Sequence, residues 1–559
     1  MIMIDGIEMN TAANYILSQN IPVSNIDRIE VIKSPSSALY GPAGVGGVIN
    51  IITQKPSKPF ESQIKLSFGS FLRQESVMNC KGLMDNNFSY GLSVVMNHTE
   101  GFRDESSTNY QIISPRFGYE TEKFDFEFIS SIKPSKGYQP GGLPLDQYKE
   151  NPKRATSPNS VGKGYATTWG VKMGFVVNDN SKLNLKSSYR TDNWNAEMDG
   201  NYLEGDDQRH LTSEVNYQLS LTKGIIKNTL LAGIEYRIYH SIYHMHPDDY
   251  WADKTWWWES NNEIDEDTLG FFAQNEIRFA EKLSVNFGIR FDRIDVSYTD
   301  KKNPDNDVET THKKNSPKIG FSLFPSAWVN IFGNYSHGIR SVNLVETVWS
   351  PKKHLNPEKL ENFELGIRGN LGDSIRFSIA GFLTQTKDLI IATGTGQTLN
   401  WENAGKAESK GTEFSIGKTF QNSLYVNFNY TFQQSEYKLY KNPTDDFSGK
   451  DVPLVPKHMI RAGIGFKTNY FGNLDTSIRH IDDKFVDNAN TIILDDYTVV
   501  DMKYTYQVDM IDIIVSVNNL TDEKYAEYAK MNGGAYVNFV PVAYPADGRS
   551  VIGSLLFKF

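Results

Sequence analysis

Period-two alternation of apolar and polar residues recurs from about residue 62 to the end of the chain, and it narrows the possible folds more than any other feature. Ile64, Leu66 and Phe68 alternate with Lys65, Ser67 and Gly69, and Phe124, Phe126 and Phe128 with Asp125 and Glu127. Leu283, Val285, Phe287, Ile289 and Phe291 alternate with Ser284, Asn286, Gly288, Arg290 and Asp292. Leu424, Val426, Phe428, Tyr430 and Phe432 alternate with Tyr425, Asn427, Asn429 and Thr431, and Ile511, Ile513, Val515 and Val517 complete the set. Successive side chains of a strand point to opposite faces, so each run predicts a strand with one apolar and one polar side. A soluble sandwich alternates too. Here the polar partners include charges on strand after strand, which suits a wet interior.

The connections come in two kinds. Met84-Asp85-Asn86-Asn87 and Asn370-Leu371-Gly372-Asp373 read as short polar turns. Segments at about 134–164, 240–268, 298–316, 337–358, 437–457 and 525–548 read as long and irregular. Short turns at one end and long loops at the other are the pattern of outer-membrane barrels, whereas long structureless loops are uncommon in compact soluble domains. Composition fits. Hydrophobic residues make up 39% and mean hydropathy is −0.45. No apolar run approaches the roughly 20 residues of a spanning helix. Aromatics nevertheless reach 13%, with 29 Tyr and 32 Phe, as expected of a barrel with aromatic girdles at both interfaces. Composition alone leaves a large soluble β-protein level with this reading.

The first 58 residues are not a run of hairpins. Residues 25–32 predict a strand, 34–47 are rich in turn formers, and 48–53 predict a second strand. Lys55-Pro56-Ser57-Lys58-Pro59 reads as a linker, because proline cannot donate to a ladder. The chain is therefore divided into 1–58 and 59–559.

Several function classes fall away. A formal charge of −10 and a pI near 5.6 disfavour nucleic acid, which requires a concentrated positive surface. Cys80, the single cysteine, has no intramolecular partner and reads as a free thiol. There is no His-Glu-x-x-His, Gly-x-Ser-x-Gly or Walker-type loop, so no enzyme, resident cofactor or protein-bound metal is expected. The glycines from Gly41 to Gly47 are followed by no Lys-Ser or Lys-Thr, which disfavours a phosphate cradle and leaves positive φ and close packing as their purpose.

Ile4-Asp5-Gly6, Ile21-Pro22, Ile26-Asp27-Arg28-Ile29-Glu30-Val31, Pro35-Ser36-Ser37-Ala38-Leu39-Tyr40-Gly41 and Gly46-Gly47-Val48-Ile49-Asn50-Ile51-Ile52-Thr53 together resemble the plug domain of the TonB-dependent outer-membrane receptors. Residues 355–366, 403–413, 517–525 and 545–549 resemble recurring barrel segments of the same family. Within it, Tyr40, Gly41, Gly46 and Gly47 mark the plug motif, and the terminal Phe559 resembles the barrel insertion signal. The resemblance implies an all-β fold: a transmembrane antiparallel barrel of about 22 strands, with a partial N-terminal plug in the lumen. It also implies a monomer in the Gram-negative-type outer membrane. Its partners would be outer-membrane lipid, the barrel-assembly machinery and the TonB-ExbB-ExbD complex. Family members have a longer plug, preceded by a signal peptide and a TonB-contacting segment. Neither is discernible before Ile4-Asp5-Gly6, so the chain is expected to begin inside the plug.

By the same resemblance the function is active uptake of a scarce ligand, a ferric siderophore first. Haem, cobalamin or copper receptors are the alternatives within the family, and a passive pore or adhesin barrel the alternative outside it. Tyr243, His244 and His246, then Trp251, Trp256, Trp257 and Trp258, are the candidate ligand contacts. Histidine and Met245 suit a soft metal or haem iron, and the aromatics suit stacking on a planar ligand. An interfacial aromatic belt explains the same residues without a ligand. Haem receptors carry Arg-Ala-Pro and Asn-Pro-Asn-Leu between two histidines. The stretch from Ser336 to Leu344 departs from that pattern, leaving His337 and His354 as the residues to test.

Overall fold

The computed structural model describes every residue outside 10–24, 199–201, 248–259, 343–345, 347–354, 373, 394–399, 421–422, 443–444, 469 and 533–539. Twenty-two antiparallel strands close into one barrel. The first, Glu61–Gly69, pairs with the last, Ser550–Lys558, in the register Ile552↔Gly69 to Lys558↔Gln63. Closure leaves no unpaired edge, the only way a sheet satisfies its backbone in lipid.

Side-chain alternation places each residue inside or outside. On Leu283–Asp300, Arg290 and Asp292 are buried in the lumen, while Phe287 and Phe291 are 45% and 52% exposed on the outer wall. Leu365, Ile379, Ile464 and Ile513 are likewise exposed on the outer wall. Such a continuous apolar belt would be insoluble in water and is what a lipid-facing wall requires.

Connections at 84–87, 121–123, 179–180, 224–225 and 509–510 are short and lie at one end. Those at 139–160, 441–457, 482–496 and 519–549 are long and lie at the other. The turn expected at 370–373 lies at the short end, though Asp373 is outside the described residues.

The structure corrects three of the expected irregular segments, of which 525–548 carries the strands Ala526–Asn532 and Val540–Pro545. Most of 240–268 is strand, as Ile226–Pro247 and Ser260–Phe279, and most of 298–316 is strand, as Leu283–Asp300 and Val308–Ser326. A membrane span needs only about 9–11 residues per strand. Beyond it, polar residues keep the ladder because their backbone groups still need partners.

Inside the barrel, Ile2–Ile4, Ile7–Glu8, Ile26–Ile32 and Val48–Thr53 form a four-stranded sheet. Ile2–Ile4 and Ile7–Glu8 make a hairpin closed by Asp5 and Gly6, both at positive φ (49° and 82°), the geometry a two-residue hairpin turn demands. Val48–Thr53 lies between Ile2–Ile4, parallel, and Ile26–Ile32, antiparallel. Three outer connections fold together as a cap. Leu143–Pro144, Val540–Pro545 and Ala526–Asn532 form a small sheet, and Leu143, Tyr148, Val486, Leu494, Ala526 and Ala543 share its core. Lys484 is buried there and donates to the Glu527 carbonyl at 2.8 Å, and burial lowers its pKa below the ordinary lysine value.

Candidate functional site

The lumen grips the inner sheet through charges. Gly41 takes φ +69°, and a Cβ there would stand 3.1 Å from Arg290 Nη2. Arg290 is fully buried, donating from Nε to Asp292 at 2.7 Å and from Nη2 to Glu235 at 2.8 Å. Arg237 donates to the same Glu235 oxygen at 2.6 Å and to the Tyr40 carbonyl at 2.8 Å, and pairs with Glu8 at 3.2 Å. The Tyr40-Gly41 step thus fits because its carbonyl is an acceptor and its next residue has no side chain.

A second clasp holds Asp5. Its carboxylate accepts from the Thr53 amide at 2.9 Å and hydroxyl at 2.7 Å and pairs with Arg116 at 3.2 Å, while Lys172 reaches its carbonyl at 2.8 Å. Arg190 donates to the Met9 carbonyl, and Lys33 pairs with Glu413 at 2.5 Å on another part of the wall. The buried members of these contacts, Asp5, Glu8, Arg190 and Arg237, are costly to unpair, which favours the seated inner sheet.

Gly47 sits at φ +106°, and a Cβ there would meet the Ile32 carbonyl oxygen at 2.3 Å. Gly46 has no positive φ and faces open space, which corrects the expectation that glycine is needed there.

The sequence-derived contact residues divide between the two faces. Arg237 reaches the inner sheet, so odd-numbered residues of Ile226–Pro247 face the lumen and even-numbered ones face out. Tyr243 is lumenal and donates to Glu204 at 3.0 Å. His244 is on the outer side, its ring over Gly205, and the backbone of His246 pairs in register with that of Leu203. His337 follows the same logic. Gly338 lies against Pro35 and Ser37, so His337 faces out, with Nδ1 2.9 Å from the Asn315 carbonyl. Trp251, Trp256, Trp257, Trp258 and His354 lie outside the described residues.

Sequence reasoning missed a pocket of about 430 Å³ at the long-loop end, lined by Ile391, Trp401, Tyr437, Tyr440, Val452 and Asn488. Asn488 accepts from Tyr437 Oη at 2.9 Å and donates to Tyr440 Oη at 3.2 Å, which fixes both rings. Aromatic walls with a few oriented polar groups are what a small-molecule site needs. Tyr437 continues the lumenal parity of Thr431, which was the available sequence signal.

The family model for the TonB dependent receptor-like β-barrel matches residues 93–520, and that for the TonB-dependent receptor plug domain matches 1–48. The metal-pseudopaline receptor CntO of Pseudomonas aeruginosa is 24% identical, across 97% of this chain and 81% of its own length. The ferrioxamine B receptor of Salmonella typhimurium is 22% identical, across 100% of this chain and 84% of its own. Among solved structures, the unliganded ferric citrate transporter FecA superposes with a TM-score of 0.87 at 18% identity, across 100% of this chain and 88% of that one. The barrel model covers more than half of the chain, the plug model covers its first strands, and the described fold is a closed barrel around an inner sheet. The chain belongs to the TonB-dependent receptors of the outer membrane.

Proposed function

We propose that this receptor imports a ferric siderophore, acting as a monomer, with residues 1–58 as its plug portion. The ligand enters at the long-loop end and rests in the lumen, and TonB-ExbB-ExbD supplies the work that unseats the inner sheet. The observation that carries this reading is the aromatic pocket at the outer mouth, above an inner sheet held by the Arg237–Glu8 and Arg116–Asp5 ion pairs. Relatives named for metal-pseudopaline and ferrioxamine B support a metal chelate as cargo. Trp401, Tyr437 and Tyr440 join Tyr243 and the tryptophans at 256–258 as proposed contacts. Haem is disfavoured, because His337 faces out of the lumen.

Titration of the purified receptor with ferric siderophores, haem, cobalamin and copper ions, followed by tryptophan fluorescence, tests this. Saturable quenching by a ferric chelate is expected. Tyr437→Ala should weaken it roughly tenfold, a lost ring contact being worth about 1.4 kcal/mol. Silence across the panel, with a large steady conductance in planar bilayers, would instead identify a passive pore.

A further inference from the structure

The lumenal wall built from Tyr202–Lys223, Ile226–Pro247 and Ser260–Phe279 carries more carboxylates than its cations pair. Arg190 is taken by Asp192 at 2.9 Å, and Lys186 by Glu214 at 2.6 Å. Arg237 and Arg290 are taken by Glu8, Glu235 and Asp292. Lys133, farther round, lies over the Tyr110 ring. Glu204, Asp206 and Glu266 remain, and among the described residues none of them is in an ion pair. Each is held only by neutral donors. Asp206 accepts from Ser241 Oγ at 2.7 Å and from the Gln208 amide, Glu204 from Tyr243 Oη at 3.0 Å, and Glu266 from Thr268 Oγ1 at 3.4 Å.

A second observation concerns oxygens on the same wall. Tyr239 is 5% exposed and Gln208 8%, and Tyr239 Oη and Gln208 Oε1 have no hydrogen-bond partner. The register puts Tyr239 opposite Glu266 and Gln208 opposite Ser241, the residue that holds Asp206. Buried polar atoms without partners are rare and call for an explanation. Two orphaned oxygens and three carboxylates outside any ion pair form a set of acceptors, whose complement is a group with several N–H donors and a positive charge. A bare metal ion fits less well. The one His/Asp/Glu group among the described residues spaced for a metal is His240, Glu263 and Asp265, and its even–odd parity places it on the outer face. Glu204 and Asp206, nearer the long-loop end, are only half-buried, so the wall is approached from outside the cell.

We propose that Asp206, Glu266, Tyr239 and Gln208 bind a cationic nitrogen group, such as a protonated amine, on the imported chelate. The cargo is then neutral or cationic overall, not a polyanion. This rests on the uptake reading above and specifies its ligand class. The test compares three ferric chelates on the purified receptor: a linear trihydroxamate with a free terminal amine, its N-acetylated form, and a trianionic tris-catecholate. The amine form should bind at least tenfold tighter than the acetylated one. Asp206→Asn with Glu266→Gln should erase that difference. Tyr239→Phe, which keeps the ring, provides a milder variant should the double change fold poorly. Equal binding of amine and acetylated forms, or preference for the tris-catecholate, would overturn this inference and leave the uptake reading standing. No binding by any of the three would overturn both.

Discussion

Arg290→Ala is expected to loosen the inner sheet by about 3–5 kcal/mol, because Asp292 would lie unpaired for as long as the sheet covers it at Gly41. Glu235 and Asp292 both lose a guanidinium contact, at 2.8 and 2.7 Å, in a place with no solvent access for Arg290 itself. Gly41 loses the planar surface on which it rests. Arg290→Lys should rescue little, because an ammonium lacks the fork that reaches two carboxylates from one side chain. The barrel ladder is untouched by either change, so the loss should be confined to the four-stranded inner sheet. Hydrogen exchange of Ile26–Ile32 and Val48–Thr53 reads it directly. Local opening should become about a hundredfold or more frequent, while barrel strands keep their protection. Unchanged exchange in the inner sheet would mean that the clasp does not hold it.

Gly47→Ala and Gly46→Ala should behave oppositely, although the residues are neighbours. At Gly47 the backbone conformation alone costs a side chain about 1–3 kcal/mol. The new Cβ would also overlap the Ile32 carbonyl oxygen, at 2.3 Å, and Ile32 is fixed by its pairing with Val48. Relief requires opening that pair. Gly46→Ala meets nothing within 4 Å and should stay within about 0.5 kcal/mol of the parent. Limited proteolysis of the folded receptor separates the two: cleavage within 26–53 should accelerate for Gly47→Ala and not for Gly46→Ala. Equal tolerance of both substitutions would contradict the geometry of this turn.

The barrel was legible because alternation is local. Lys65, Ser67, Glu127, Asn286 and Arg290 declare the wet face from their apolar neighbours alone, whereas Asp5-Gly6 entered only through a family resemblance and proves to be a hairpin turn. Strand length was less legible, since past the lipid the ladder at 240–247 and 260–268 is kept by backbone pairing that leaves no apolar mark. The site was harder still. Glu8, Arg237 and Arg290 meet only through the closed fold, and so do Ile391, Trp401, Tyr437 and Asn488. Tyr243 and His244 taught the reverse lesson. They look like one motif in the sequence, yet adjacent strand residues face opposite sides, so the parity already present in the chain separates a lumenal tyrosine from an outward histidine.

Energised import through a locked barrel is tested by iron accumulation from a radiolabelled ferric chelate in cells with and without this gene. Saturable accumulation that needs the gene and stops when the inner-membrane proton gradient is collapsed is expected. Gene-dependent entry that continues undiminished without the gradient would contradict energised import, for a plug held by buried ion pairs would then be opening without any work being done on it.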